Sequence, residues 1–145
     1  MSRVKLTEEE ARSLIREVKH SVESLVAMPA AGEQNKEFHV ESENSEHHYT
    51  VALYQGRKNP HRHSISARIT VNGVLLLRLC VNGSPHNNPD KTRVSGTHWH
   101  IYSEEYEDRY AVEASLSSDD FIDSTVALLE RFHVVEKPQF QGGLL

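Results

Sequence analysis

Six of the ten histidines stand in three close pairs: His47-His48, His61-Arg62-His63 and His98-Trp99-His100. The third pair opens the string His98-Trp99-His100-Ile101-Tyr102-Ser103-Glu104. In a strand, His98, His100, Tyr102 and Glu104 share one face, with alternate side chains about 7 Å apart. Two imidazoles that titrate near neutrality, a phenol and a carboxylate make a row able to move protons. His61 and His63 repeat the spacing, and His86 heads the turn-like string Pro85-His86-Asn87-Asn88-Pro89-Asp90. Arg78 is set inside Leu75-Leu76-Leu77-Arg78-Leu79-Cys80-Val81. A guanidinium there needs a carboxylate, a row of carbonyls or an anionic ligand, because burying an unpaired charge is costly.

The chain is acidic overall, with a formal charge of −5 from 16 Lys+Arg and 21 Asp+Glu, which argues against a general nucleic-acid-binding domain. That average hides a partition. Between His47 and Pro89 there is no Asp or Glu, while Arg57, Lys58, Arg62, Arg68 and Arg78 all fall there. Histidines and arginines without carboxylates fit acid–base chemistry on a phosphodiester. One imidazole would take a 2′-hydroxyl proton, another would protonate the leaving oxygen, and Arg78 would hold the anion. The expectation is a ribonuclease-like or RNA-binding protein that needs no cofactor. His98, His100, His61, His63 and His86 are the catalytic candidates and Tyr102 orients them, while Arg57, Lys58 and Arg62 join Arg78 in binding the nucleic acid. Two alternatives stay open. A divalent transition metal could sit on His98, His100 and Glu104, completed by His61 or His63. A non-enzymatic inhibitor, its acidic ends mimicking nucleic acid, would instead have a protein partner.

These residues need elements to position them. Thr7-Glu8-Glu9-Glu10 reads as a capping box, and Ala11, Leu14, Ile15, Val18, Val22, Leu25 and Val26 continue at helical spacing until Met28-Pro29. After a loop from Pro29 to Lys36, period-two patterns predict a hairpin of Glu37 to Ser42 with His47 to Tyr54. A second hairpin, His61 to Val71 with Val74 to Val81, turns at Asn72-Gly73. If Val71 pairs with Val74, then Ala67 faces Arg78, Ile65 faces Cys80 and His63 faces Asn82, with strand 74–81 central and covered on both sides. Gly83 to Thr97 reads as a long loop, Trp99 to Ser103 and Arg109 to Glu113 as a further strand pair. Ser117 to Asp120 caps a closing helix with Ile122, Val126, Leu129 and Phe132 on one stripe, and Pro138 to Leu145 is a tail. The predicted class is α+β: one domain over 1–145, an N-terminal helix, about six mostly antiparallel strands and a C-terminal helix.

The longest apolar runs, Val74 to Leu77 and Leu79 to Val81, fall well short of the roughly 20 residues of a membrane span. The first residues lack the apolar core of a secretory signal, so a cytoplasmic setting is expected, with no membrane partner. Cys80, the single cysteine, leaves no disulfide framework and no Cys-based zinc site within one chain, and reads as a core residue. Leu76-Leu77-Arg78-Leu79, Val81-Asn82-Gly83, Pro85 to Asp90, His98 to Tyr102 and the closing tail together resemble a family of small uncharacterised prokaryotic proteins. That resemblance implies a setting near mobile-element, defence or toxin–antitoxin loci and an antitoxin or defence complex as partner. Its members carry Gly after the Asn-Pro-Asp of the turn, where this chain has Lys91.

Overall fold

A computed structural model describes residues 4–30, 36–59 and 61–142. Part of the expected loop, 31–35, and the last three residues of the tail lie outside them. The elements are α1 (Glu8–Arg16), β1 (Lys19–Ser21), β2 (Leu25–Ala27), β3 (Lys36–Ser42), β4 (His48–Gln55), β5 (His63–Ile69), β6 (Leu75–Asn87), β7 (Arg93–Ile101), β8 (Ala111–Glu113), α2 (Phe121–Arg131), β9 (Val134–Glu136) and β10 (Gln139–Gln141). One curled sheet holds eight strands in the order β8-β7-β6-β5-β4-β3-β1-β9, and β10 pairs with β2 separately. Both β1–β9 and β10–β2 are parallel. The expectation of about six mostly antiparallel strands with an N-terminal and a C-terminal helix is therefore corrected: 46% of the described residues are strand and 15% helix, in a mixed half-barrel sheet with two helices.

The correction has a local cause at the N-terminus. Thr7 accepts from the Glu10 amide while the Glu10 carboxylate takes the Thr7 amide, so α1 starts at its capping box. The helix ends at Arg16 because Glu17 turns extended, at ψ 146°. Of the supposed stripe beyond it only Val26, on β2, is buried, while Val18, Val22 and Leu25 are exposed. Lys19 is buried in their place, because β1 is sandwiched between β3 and β9. Strands this short draw their order from partners distant in sequence, and local periodicity cannot show them.

Lys19 also ties the helices together. Its Nζ donates to the carbonyls of Ile15 (3.0 Å), Glu17 (2.9 Å) and Phe132 (2.8 Å), at the C-terminal ends of α1 and α2. These are carbonyls a helix end leaves without partners, at the negative pole of its dipole. The ammonium lies 3.8 Å from the Phe132 ring centre and 5.1 Å from that of Tyr49, and the Tyr49 hydroxyl donates to the Glu17 carboxylate.

The core lies on the sheet face covered by α2. Phe38, Val40, Val51, Leu53, Ile65, Ala67, Leu77, Leu79 and Val81 alternate inward against Leu128, Leu129 and Phe132. The buried hydroxyls of Ser124 and Thr125 are satisfied within α2 by the Asp120 and Phe121 carbonyls. The β5–β6 register differs from expectation by one residue. Ile69 accepts from Gly73 (φ 74°) and donates to Val74, so the turn spans four residues, and a bulge at Ala67/Arg68 follows. Ser66 pairs with Arg78, Ala67 with Leu77 and His63 with Val81. A one-residue slip moves every side chain to the other face. Arg78 and Cys80 thus leave the core for the opposite, half-buried face, and the strand is not sealed on both sides.

The expected loop over 83–97 is mostly strand. β6 continues to Asn87 through bulges between Cys80 and Gly83 and between Gly83 and His86, with Asn82 at φ 53°. Gly and Pro, which read as loop punctuation, are tolerated at such bulges. The turn itself is Asn88–Thr92, where Lys91 donates to the Asn88 carbonyl and sits at φ 73°.

Candidate functional site

The β6–β7 hairpin gathers the chemistry. Arg78 pairs with His100 and Cys80 with His98, which puts all four side chains on the face away from α2. The two bulges then turn the strand so that His86 returns over the same ground. Its ring centre is 4.9 Å from that of His100 and 6.0 Å from that of His98, and the latter two are 5.1 Å apart. A Cβ built at Gly83, under this bend, would lie 3.5 Å from the His98 ring, an ordinary van der Waals contact.

Each imidazole is oriented by a backbone carbonyl. His98 Nδ1 lies 3.0 Å from the Gly96 oxygen and His100 Nδ1 2.9 Å from that of Asp108. A carbonyl only accepts, so these nitrogens carry the protons, and in the neutral rings each Nε2 keeps its lone pair. His86 is held by its Nε2, 2.9 Å from the Arg109 carbonyl. Burial, followed by the Arg78 charge, pushes His100 down to about 4, against the pull of its Asp108 bond. His98 is lowered as well, chiefly by burial, with His86 and Arg78 contributing. Burial raises the Cys80 thiol, while the Arg78 guanidinium beside it pulls the other way.

Cys80, His98 and His100 each bring one donor atom within 4.8 Å of the other two. Arg78 Nε is buried with no hydrogen-bond partner. A buried N–H left in this way costs free energy unless something else accepts from it. The nearest carboxylate by register is Glu113, opposite His98, but it is exposed and lines a separate polar groove with Asn82, Ser95 and Thr97.

The other residues singled out from sequence lie elsewhere. His63 faces the core, stacked 4.3 Å from Phe121 and 3.3 Å from the Ser124 hydroxyl. His61 is exposed before β5, its carbonyl accepting from Asn82. The Tyr102 hydroxyl takes the Leu6 amide at 2.8 Å, docking the segment before α1. Glu104 accepts from the Glu8 amide, and its own amide donates to the Glu8 carboxylate. Arg62 is bonded to the Asn82 carbonyl and Ser84, while Arg57 and Lys58 stand exposed in the turn after β4. A wide groove of ≈ 1050 Å³ lies away from the cluster, between α1 and the turns joining β3 to β4 and β5 to β6.

The assembled motif order also bears on ancestry. The chain belongs to the family of unknown function DUF6978. The match spans residues 6–134, and so takes in the whole β6–β7 hairpin and every residue of the cluster. No curated protein and no solved structure matches the chain. Among the described residues, no helix is long and apolar enough to cross a membrane.

Cys80 is the member of the cluster that sequence reasoning set aside as core. Reading Asn88 to Thr92 as a hairpin turn would have found it. The i, i+2 pair Arg78/Cys80 then falls opposite the i, i+2 pair His98/His100.

Proposed function

We propose that this is a transition-metal protein whose centre is Cys80, His98 and His100, with a further coordination position open to a ligand. The observation that carries the reading is the approach of one sulfur and two imidazole nitrogens within 4.8 Å, both rings already held at Nδ1 by carbonyls. Metal-bound histidines are commonly oriented in this way, which fixes the tautomer and directs Nε2 at the ion. One thiolate with two imidazoles suits zinc or copper(I); magnesium and calcium prefer oxygen donors. Three protein ligands with a vacant fourth position is the arrangement of catalytic zinc, which activates bound water near neutral pH. Relative to the sequence expectation, Cys80 stands in for Glu104, whose carboxylate is engaged at the start of α1.

Ribonuclease-like chemistry on the same face is the second reading, favoured by the unpartnered Arg78 Nε. The resemblance to proteins near defence and toxin–antitoxin loci makes RNA the first substrate class to assay. Elemental analysis of untagged protein, with RNA cleavage measured with and without EDTA, separates the two readings. The expected result is about one zinc or copper per chain, lost in His98→Ala and in Cys80→Ser, with any cleavage stopped by EDTA. Metal only in traces overturns the metal reading. Cleavage that persists in EDTA and disappears in the His98→Ala/His100→Ala variant establishes the other.

A further inference from the structure

Resting on the metal reading, we infer that Arg78 and the open metal position together bind a small oxyanion, so that the ligand of this site is a carboxylate or phosphate. The argument is one of charge and of an unmet donor. A dication on one thiolate and two neutral imidazoles leaves the centre at +1, and the Arg78 guanidinium adds another positive charge. Among the described residues, the charged neighbours that act on Cys80, His98 and His100 are Arg78 and other imidazoles, with no carboxylate among them to offset the excess. Concentrated charge of one sign, half withdrawn from water, is costly until an anion joins it.

The geometry says which anion. Arg78 Nε is sealed from solvent and has no acceptor, on a residue paired across strands with His100 and two positions from Cys80. A guanidinium edge presents parallel N–H donors that match two oxygens of one group. An oxyanion with one oxygen on the metal and others on Arg78 satisfies the open coordination position and the orphaned donor together. Halide or hydroxide would meet the charge requirement but leave the second donor of that edge unused.

The test uses the full untagged chain loaded with cobalt(II). Because Cys80 is the only cysteine, a thiolate-to-cobalt charge-transfer band reports this centre and none of the other histidines. Sodium phosphate and sodium acetate are titrated separately into wild type, Arg78→Gln and Arg78→Lys, following the cobalt bands. Wild type should show saturable spectral change with at least one of the two anions, and the stronger response identifies the source. Arg78→Gln should keep the charge-transfer band and bind that anion about ten-fold or more weakly, with Arg78→Lys between. Equal affinity in wild type and Arg78→Gln overturns the inference, as does wild type that takes up cobalt but responds to neither anion. Absence of the charge-transfer band in wild type is a different failure, for it removes the metal reading itself.

Discussion

Lys19 and Arg78 are both withdrawn from water, and their donors meet opposite fates. Lys19 has no exposed surface, and its three N–H groups face three carbonyls at the ends of both helices. Arg78 is half-buried and leaves Nε without an acceptor, among imidazoles and a thiol that offer it no negative charge. Burial alone therefore does not tell a structural cation from a binding one. The decisive quantity is whether the fold itself supplies the acceptors. Lys19 is complete in the folded chain, whereas the fold leaves Arg78 Nε unmet.

The strongest way to break this comparison is to truncate both residues. Lys19→Ala opens a cavity in the core and orphans three carbonyls, and should cost about 3–5 kcal/mol. Arg78→Ala takes away only the guanidinium beside the Cys80 thiol, a weak hydrogen-bonding partner, and should change the stability of the metal-free protein by about 1 kcal/mol or less. Urea unfolding followed by circular dichroism measures both. Comparable losses would mean that Arg78 has a structural partner and would erase the distinction.

A smaller effect tests how completely the carbonyls satisfy Lys19. Burial pushes its ammonium from 10.5 down to about 7, and Glu17 draws it only partly back. Between about pH 7 and 10 the unfolded chain then holds a proton that the folded chain has released. Stability must rise with pH across that window, by at most about 1.4 kcal/mol per unit. Below pH 7 both states are protonated and this contribution is flat. Tyr49 works in the other direction at higher pH: burial and Glu17 raise its phenol, so the folded chain keeps a proton that the unfolded one loses. The comparison is therefore best made from pH 7 to 9.5, wild type against Lys19→Met, which should lack the slope. A wild-type profile as flat as the variant's would show three carbonyls holding the ammonium as well as water does.

What was legible in the sequence follows the same division between local and distant causes. Thr7 and Glu10 close a box within four residues, so the start of α1 could be read directly. The alternation along β3, β4 and β5 answers to one buried face, and it too was visible. β1 and β9 were not, because Lys19 meets Val134 only after the whole sheet intervenes. At the site, the shared face of His98 and His100 needed only the period of a strand. The face of Arg78 depended on how the turn at residues 70–73 closes, and a single-residue error there set it and Cys80 in the core. His86 reaches the cluster through bulges, and His63 leaves it for Phe121 on α2. Neither fate is written in the spacing of the histidines themselves.

The smallest expected effect concerns the turn that aligns the cluster. Lys91 holds φ 73°, a left-handed conformation that costs an L-residue about 1–2 kcal/mol and glycine little. The resemblance noted above has glycine at this position. Glycine also loses more freedom on folding, which offsets part of the gain, so Lys91→Gly should stabilise the protein by about 0.5–1 kcal/mol. The turn has other fastenings, since Asn88 exchanges side-chain bonds with the Ala111 amide and carbonyl, and Asp90 accepts from Thr92 and Tyr110. These should hold the register of β6 against β7 whatever residue stands at 91, so metal stoichiometry and the affinity of the Arg78 edge for anions should be unchanged. A thermal melt and the cobalt titration on the same variant check both halves. Greater stability with altered anion binding would show that strain at Lys91 reaches the cluster, and that the guanidinium is set by the turn as well as by its cross-strand pairing with His100.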